Sequence, residues 1–275
     1  MKKIFLLVLL LPIILVSGCI SQTSVGNGIG VSSFLQPSQV YSGTKATIYI
    51  DIENKDISAV DASVEVFNTG ILKKESECKA QYNQFLPKEI KTSTCVLTAP
   101  SFNELSKPST DTQVDYKVSS RKLFSAPIQF DIMSQSEYDK ELYAGTLKYG
   151  GKSQSFSDPN MNINIEFSKQ PPFISRDGEK AFMYVYITST GNGFLRDIDE
   201  TNFGISVNND ADSSILNCDF PNQANKLISI KGKFPPITCE INTPKDKNYL
   251  RSFIIIIKYN YDYEVRGSIP ITIIR

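Results

Sequence analysis

Gly43-Thr44-Lys45-Ala46-Thr47-Ile48-Tyr49-Ile50-Asp51-Ile52 decides how this chain folds. From Ala46 onward the apolar residues fall on alternate positions. A period of two is that of a strand with one face on a core. The stretch returns as Gly178-Glu179-Lys180-Ala181-Phe182-Met183-Tyr184-Val185-Tyr186-Ile187. Upstream, Phe34-Leu35-Gln36-Pro37 matches Phe167-Ser168-Lys169-Gln170-Pro171. Downstream, Cys95-Val96-Leu97-Thr98-Ala99-Pro100 matches Cys239-Glu240-Ile241-Asn242-Thr243-Pro244, and Ala126-Pro127-Ile128 matches Ile269-Pro270-Ile271. Each match is short, but all occur in the same order twice, so one unit is repeated.

The copies occupy 31–133 and 160–275, each on the order of 110 residues, a normal size for a unit with its own core. Short alternating strands punctuated by Gly, Pro, Asn and Asp predict an all-β chain with one β-sandwich per copy. Segment 134–159 reads as a connection. Ser136-Glu137-Tyr138-Asp139-Lys140-Glu141-Leu142 could form a short helix or an extra strand, and Gly150-Gly151-Lys152-Ser153-Gln154-Ser155 reads as flexible linker.

The opening of each copy resembles the Ig-like, cell-adhesion-related modules of prokaryotic surfaces. Ile50-Asp51-Ile52-Glu53-Asn54-Lys55-Asp56 carries the likeness in copy one, although Lys55-Asp56 stands where those modules tend to have glycine. Thr190-Gly191-Asn192-Gly193 in copy two is closer. The resemblance implies two tandem Ig-like domains that bind or support, and it brings no functional residues with it.

The amino terminus carries an address. Met1-Lys2-Lys3 precedes an apolar run, Ile4 to Val16, of about 13 residues, against the ~20 needed to span a bilayer. Val16-Ser17-Gly18-Cys19 follows. A basic start, a short apolar run and small residues before a cysteine form a signal peptide with a cut site. The segment resembles the leader of prokaryotic lipoproteins. It implies cleavage after residue 18, lipid on Cys19, a tether over 19–30 and attachment to the outer side of a membrane. An uncleaved anchor is the alternative that the small residues disfavour.

Four cysteines remain. Outside the cytoplasm an even number reads as disulfides, with three possible pairings. The repeat selects Cys78–Cys95 and Cys218–Cys239, one within each copy. A four-thiolate metal site lacks the close spacing it would need.

Catalytic chemistry is sparse. The chain has no histidine, which removes His-based triads, Cys-His dyads and His-ligated zinc. No P-loop, dinucleotide fingerprint or nucleophile elbow occurs. The expectation is a non-enzyme without cofactor or metal. No basic stripe offers itself to nucleic acid, and loss of Lys2 and Lys3 leaves the mature chain slightly acidic. Asp197-Ile198-Asp199-Glu200 and Asn208-Asn209-Asp210-Ala211-Asp212 are oxygen-rich enough for calcium, but they lack the ligand order of a calcium loop and read as turns.

Two aromatic rows differ in parity. Tyr259, Tyr261 and Tyr263 share a face with Phe253, Ile255, Ile257 and Val265, so they point inward. Phe182, Tyr184 and Tyr186 oppose the inward Met183 and Val185, on the face where copy one has Thr47, Tyr49 and Asp51. Outward aromatics ask for a cover: the other copy, segment 134–159 or a protein partner. A bulge that returns them to the core is the alternative. The chain is thus expected to be an anchored binding or structural module, or else an accessory subunit of a membrane-associated or secretion assembly.

Overall fold

The computed structural model describes residues 22–25, 28–175, 180–199, 201–208, 214–219, 226–243 and 250–275. The leader, Cys19 and most of the tether lie outside these residues, as do Gly178, Glu179 and Pro244 of the repeat.

In the first half come β1 (Gln22–Val25), β2 (Ile29–Gln36), β3 (Val40–Tyr41), β4 (Lys45–Asn54), β5 (Val60–Asn68), β6 (Lys73–Lys74), β7 (Lys79–Phe85), β8 (Ile90–Thr98) and β9 (Ser109–Ser134). Helix α1 (Gln135–Ala144) follows. The second half holds β10 (Ser153–Asp158), β11 (Met161–Phe167), β12 (Phe173–Ser175), β13 (Ala181–Ser189), β14 (Phe194–Leu195), β15 (Ile198–Asp199), β16 (Phe203–Val207), β17 (Leu216–Asp219), β18 (Lys226–Leu227), β19 (Ile237–Ile241) and β20 (Leu250–Ile274). Among the described residues the chain is all-β apart from α1 and short 3-10 turns.

The repeat is visible strand for strand. One five-stranded sheet runs β1-β2-β4-β8-β6, and another runs β10-β11-β13-β19-β17. Their inner faces carry Ile48, Ile50 and Ile52 in one case and Met183, Val185 and Ile187 in the other, all buried. Each packs as the upper layer of a β-sandwich.

Both sandwiches share their lower layer. β9 and β20 pair antiparallel along all 25 residues of β20, from Ser109↔Ile274 to Met133↔Leu250. At roughly 3.3 Å per residue this two-stranded ribbon is about 80 Å long. Along β20 the odd positions from Phe253 to Ile273 face inward. Gly267 is the one without a side chain, and Tyr116 fills that place: a Cβ there would lie 2.2 Å from the Tyr116 hydroxyl. Beside the first upper sheet, β5 flanks β9 and β3 flanks β20. Beside the second, β12 flanks β9, while β14 and β16 flank β20.

The two copies are therefore related by an approximate two-fold axis at the Ser120↔Tyr263 pair, since Pro127 and Pro270, matched in the repeat, lie equally far beyond it. The last strand of each copy starts in its own sandwich and finishes in the other. Val114, Tyr116 and Val118 of β9 line the first core, and Ile128, Phe130 and Ile132 of the same strand line the second. Val265, Ile271 and Ile273 close the first core, although they end copy two. One contiguous apolar core results.

Segment 134–159 is more ordered than its composition suggested. Ser134 caps α1 by accepting a hydrogen bond from the Glu137 amide, and Gly145 ends it in the left-handed region at φ 66°. Ser153 to Asp158, taken in part for linker, is the edge strand β10, paired with β11 throughout. An edge strand hydrogen-bonds on one side only and here buries little, so it tolerates a polar sequence that resembles a linker.

Both disulfides pair as the repeat selected, in different mechanical roles. Cys95 on β8 joins Cys78, whose carbonyl accepts from the Val66 amide of β5, so this bridge ties the upper sheet to the lower. Cys218–Cys239 links directly paired residues of β17 and β19 within one sheet, with Cα atoms 3.8 Å apart. Each closes a loop of about 20 residues, for which loop-closure entropy gives roughly 3 kcal/mol. Non-reducing peptide mapping should recover these two bridges alone. A Cys78–Cys218 or Cys95–Cys239 peptide would contradict the fold.

Candidate functional site at the sandwich junction and the aromatic face

Where the two sandwiches meet, the inward column of β9 contains a charge. Lys122 follows Ser120 and precedes Phe124 on the core side. Its ammonium lies 2.5 Å from Asp56 Oδ2, in the turn between β4 and β5, and 3.7 Å from Asp158 Oδ2, at the end of β10. The side chains are 16%, 2% and 9% exposed, respectively. Lys122 thus ties a turn of the first sandwich to a turn of the second.

The surrounding groups are matched to it. Asp56 Oδ1 accepts from the amides of Ile57 and Ser58 and from the Ser58 hydroxyl. Burial pushes the Asp56 carboxyl up, but the Lys122 hydrogen bond and charge, with the two amides, outweigh it and hold it below the usual aspartate value. Tyr261 donates to Asp158 Oδ2 at 2.5 Å, and burial together with that carboxylate pushes its phenol far up. In the axial pair itself, Tyr263 docks a further turn of the second sandwich through neutral groups. Its hydroxyl donates to the Thr190 carbonyl and accepts from the Gly193 amide, pinning the turn between β13 and β14.

The three central tyrosines are inward as their parity requires, with Tyr259 donating to the Arg196 carbonyl at 3.4 Å. Sequence reading singled out neither Lys122 nor Asp158, and Asp56 only within the stretch that resembles Ig-like modules. The available signal was parity, because Lys122 falls in the column of Val114, Tyr116, Val118 and Ala126.

Phe182, Tyr184 and Tyr186 lie opposite Met183 and Val185, on the outer face of the second upper sheet. Phe182 and Tyr184 stack with centroids 6.5 Å apart and are half-buried, and Tyr186 is 36% exposed. Their cross-strand neighbours are polar: Glu166 and Thr238 beside Tyr184, Asn164 beside Tyr186, Glu240 beside Phe182. Among the described residues, neither the first sandwich nor segment 134–159 buries the row.

The outer face of the ribbon forms a polar trough of about 320 Å³ at the axis. Its floor is Ser63 and Ser119, and its walls are ion pairs. Arg121 grips Asp262 with two hydrogen bonds, and Lys117 pairs with Glu65. The side chain of Glu264 is 2% exposed beneath Arg266 and Arg196.

Of the oxygen-rich stretches, Asp199 serves its turn: Oδ1 accepts from the Thr201 hydroxyl and from the Thr201 and Asn202 amides. Glu200 and residues 209–213 lie outside the described residues. No group of three or more Cys, Asp or Glu that could hold a metal occurs among the described residues.

No known family and no curated protein matches the chain. Among solved structures, the C-terminal globular domain of an oligosaccharyltransferase from Pyrococcus abyssi matches at 12% identity with a TM-score of 0.22, over 90% of this chain and 48% of that one. The chain spans about half the length of that domain, and a likeness of this degree carries no argument about activity. Two disulfides fit an oxidising, extracytoplasmic compartment. No described helix is long and apolar enough to cross a membrane.

Proposed function

We propose that this chain is a prokaryotic lipoprotein that acts as a non-enzymatic binding or structural module, a pair of joined Ig-like sandwiches held outside the cytoplasm by lipid on Cys19. The aromatic row carries the reading. Phe182, Tyr184 and Tyr186 stand outward where copy one has Thr47, Tyr49 and Asp51, so the second of two nearly equivalent sheets carries two further aromatic rings, a residue type enriched at protein interfaces. The ribbon shared by both sandwiches supports it by joining the sandwich that carries the row to the other one. The same row favours a second reading, an accessory subunit that docks on a component of a membrane-associated or secretion assembly.

Two measurements test this. Intact-mass analysis of membrane-extracted protein should show a lipidated chain beginning at Cys19, and Cys19→Ser should release it from the membrane. Tyr184→Ser with Tyr186→Ser should leave the thermal transition in place and abolish capture of native-membrane partners. A retained Met1, or capture undiminished in the double variant, defeats the corresponding half. A stoichiometric partner surviving detergent favours the accessory subunit.

A further inference from the structure

The ribbon is incompletely flanked. β5 stops pairing with β9 at Arg121 and β12 begins at Ile132, so among the described residues only β20 pairs with 122–131. On β20, β14 ends at Glu264 and β3 begins at Ile273, so among the described residues 265–272 pair with β9 alone. The direction of the free backbone groups follows from recorded hydrogen bonds. The carbonyls of Ile254, Asp262 and Ile274 accept from Asn208, Arg196 and Ser42, and the Asn260 amide donates to Asn202. Even positions of β20 therefore point away from β9, and by alternation odd positions of β9 point away from β20.

Leu123, Ser125 and Gln129 thus turn amides and carbonyls that no described strand pairs into the first gap, and Arg266 and Ser268 do so in the second; the carbonyls of Asp131 and Thr272 are already used at the first bridges of β12 and β3. Such a row is a template for another strand. The middle position of the first gap is Pro127, and Pro270 stands among those of the second. Each proline lacks its donor on the open side, so the β9–β20 ladder loses nothing and an incoming strand meets a missing hydrogen bond. The two gaps differ in appetite. Along the first, Leu123 is 63% exposed, Pro127 is exposed, and Ile254, exposed as well, lies across from Gln129. The second is lined by Arg266, Ser268 and Thr272.

We propose that these gaps are a latent self-association surface whose partner is a second copy of this chain, paired edge to edge through 122–131, and that Pro127, with Pro270 in support, keeps it closed. The full-length mature chain decides the matter by sedimentation velocity with amide exchange. Wild type should sediment as a monomer. Pro127→Thr should shift to a dimer or larger as concentration rises, its circular dichroism unchanged, with new protection at the amides of Leu123, Ser125 and Gln129. Pro270→Thr should shift less. Pro127→Ala restores the donor with a smaller side chain and should associate likewise, which covers a folding defect specific to threonine. A folded, monomeric Pro127→Ala, association without protection at those amides, or a wild-type chain already paired there overturns the proposal.

Discussion

Replacing Lys122 with methionine is expected to cost about 3–5 kcal/mol, because breaking a buried ion pair leaves its partner charged and uncompensated. Here two carboxylates would be stranded, Asp56 beside the ammonium and Asp158 at 3.7 Å. Urea unfolding measures the loss. The effect has a pH signature. The folded-state carboxyl of Asp56 is held below its ordinary value, about 3.9, so its contribution is fully present above that value and lost as pH falls through the lowered one. The gap between wild type and Lys122→Met should therefore narrow on acidification. Asp56→Asn in the Lys122→Met background should recover part of the loss, since an amide needs no counter-charge. A Lys122→Met chain as stable as wild type at neutral pH would show the junction to be solvated.

Ile273→Ala should cost about 2–5 kcal/mol, the range for large-to-alanine changes in a core. The informative part is where the loss appears. Ile273 belongs to the last strand of copy two, yet it is fully buried in the first sandwich beside Val40. Amide exchange should rise in β4 and β8. A rise confined to β11, β13 and β19 would mean that each copy closes on itself and that β20 does not cross.

The alternation from Phe253 to Val265 and the two opening strands were enough to read an all-β fold with a sandwich in each half, and the order of matched segments was enough to pair the cysteines. The crossing of β9 and β20 was not legible, for a physical reason. An inward column such as Val114, Tyr116 and Val118 has the same pattern whether its strand pairs within its copy or with the other, so parity fixes the face and leaves the partner open. Edge strand β10 was missed because edges need little apolar content. Lys122 was hidden by its company: beside Arg121 it reads as surface charge, and only its column reveals it. The partners of the aromatic row are not written in its parity, which gives direction alone.

The crossed strands also set an order of events. The ladder joins Ser109 to Ile274, so the first sandwich receives its closing strand only when the far end of the chain has emerged. Until then Val114, Tyr116 and Val118 have no β20 beside them, and the first core stands open while β10 to β19 are made. A nascent first half is therefore a client for holding factors and a substrate for proteases, and contacts this distant in sequence are slow to form. A chain stalled before Leu250 would leave both halves unfinished at once, where truly separate domains would leave one complete.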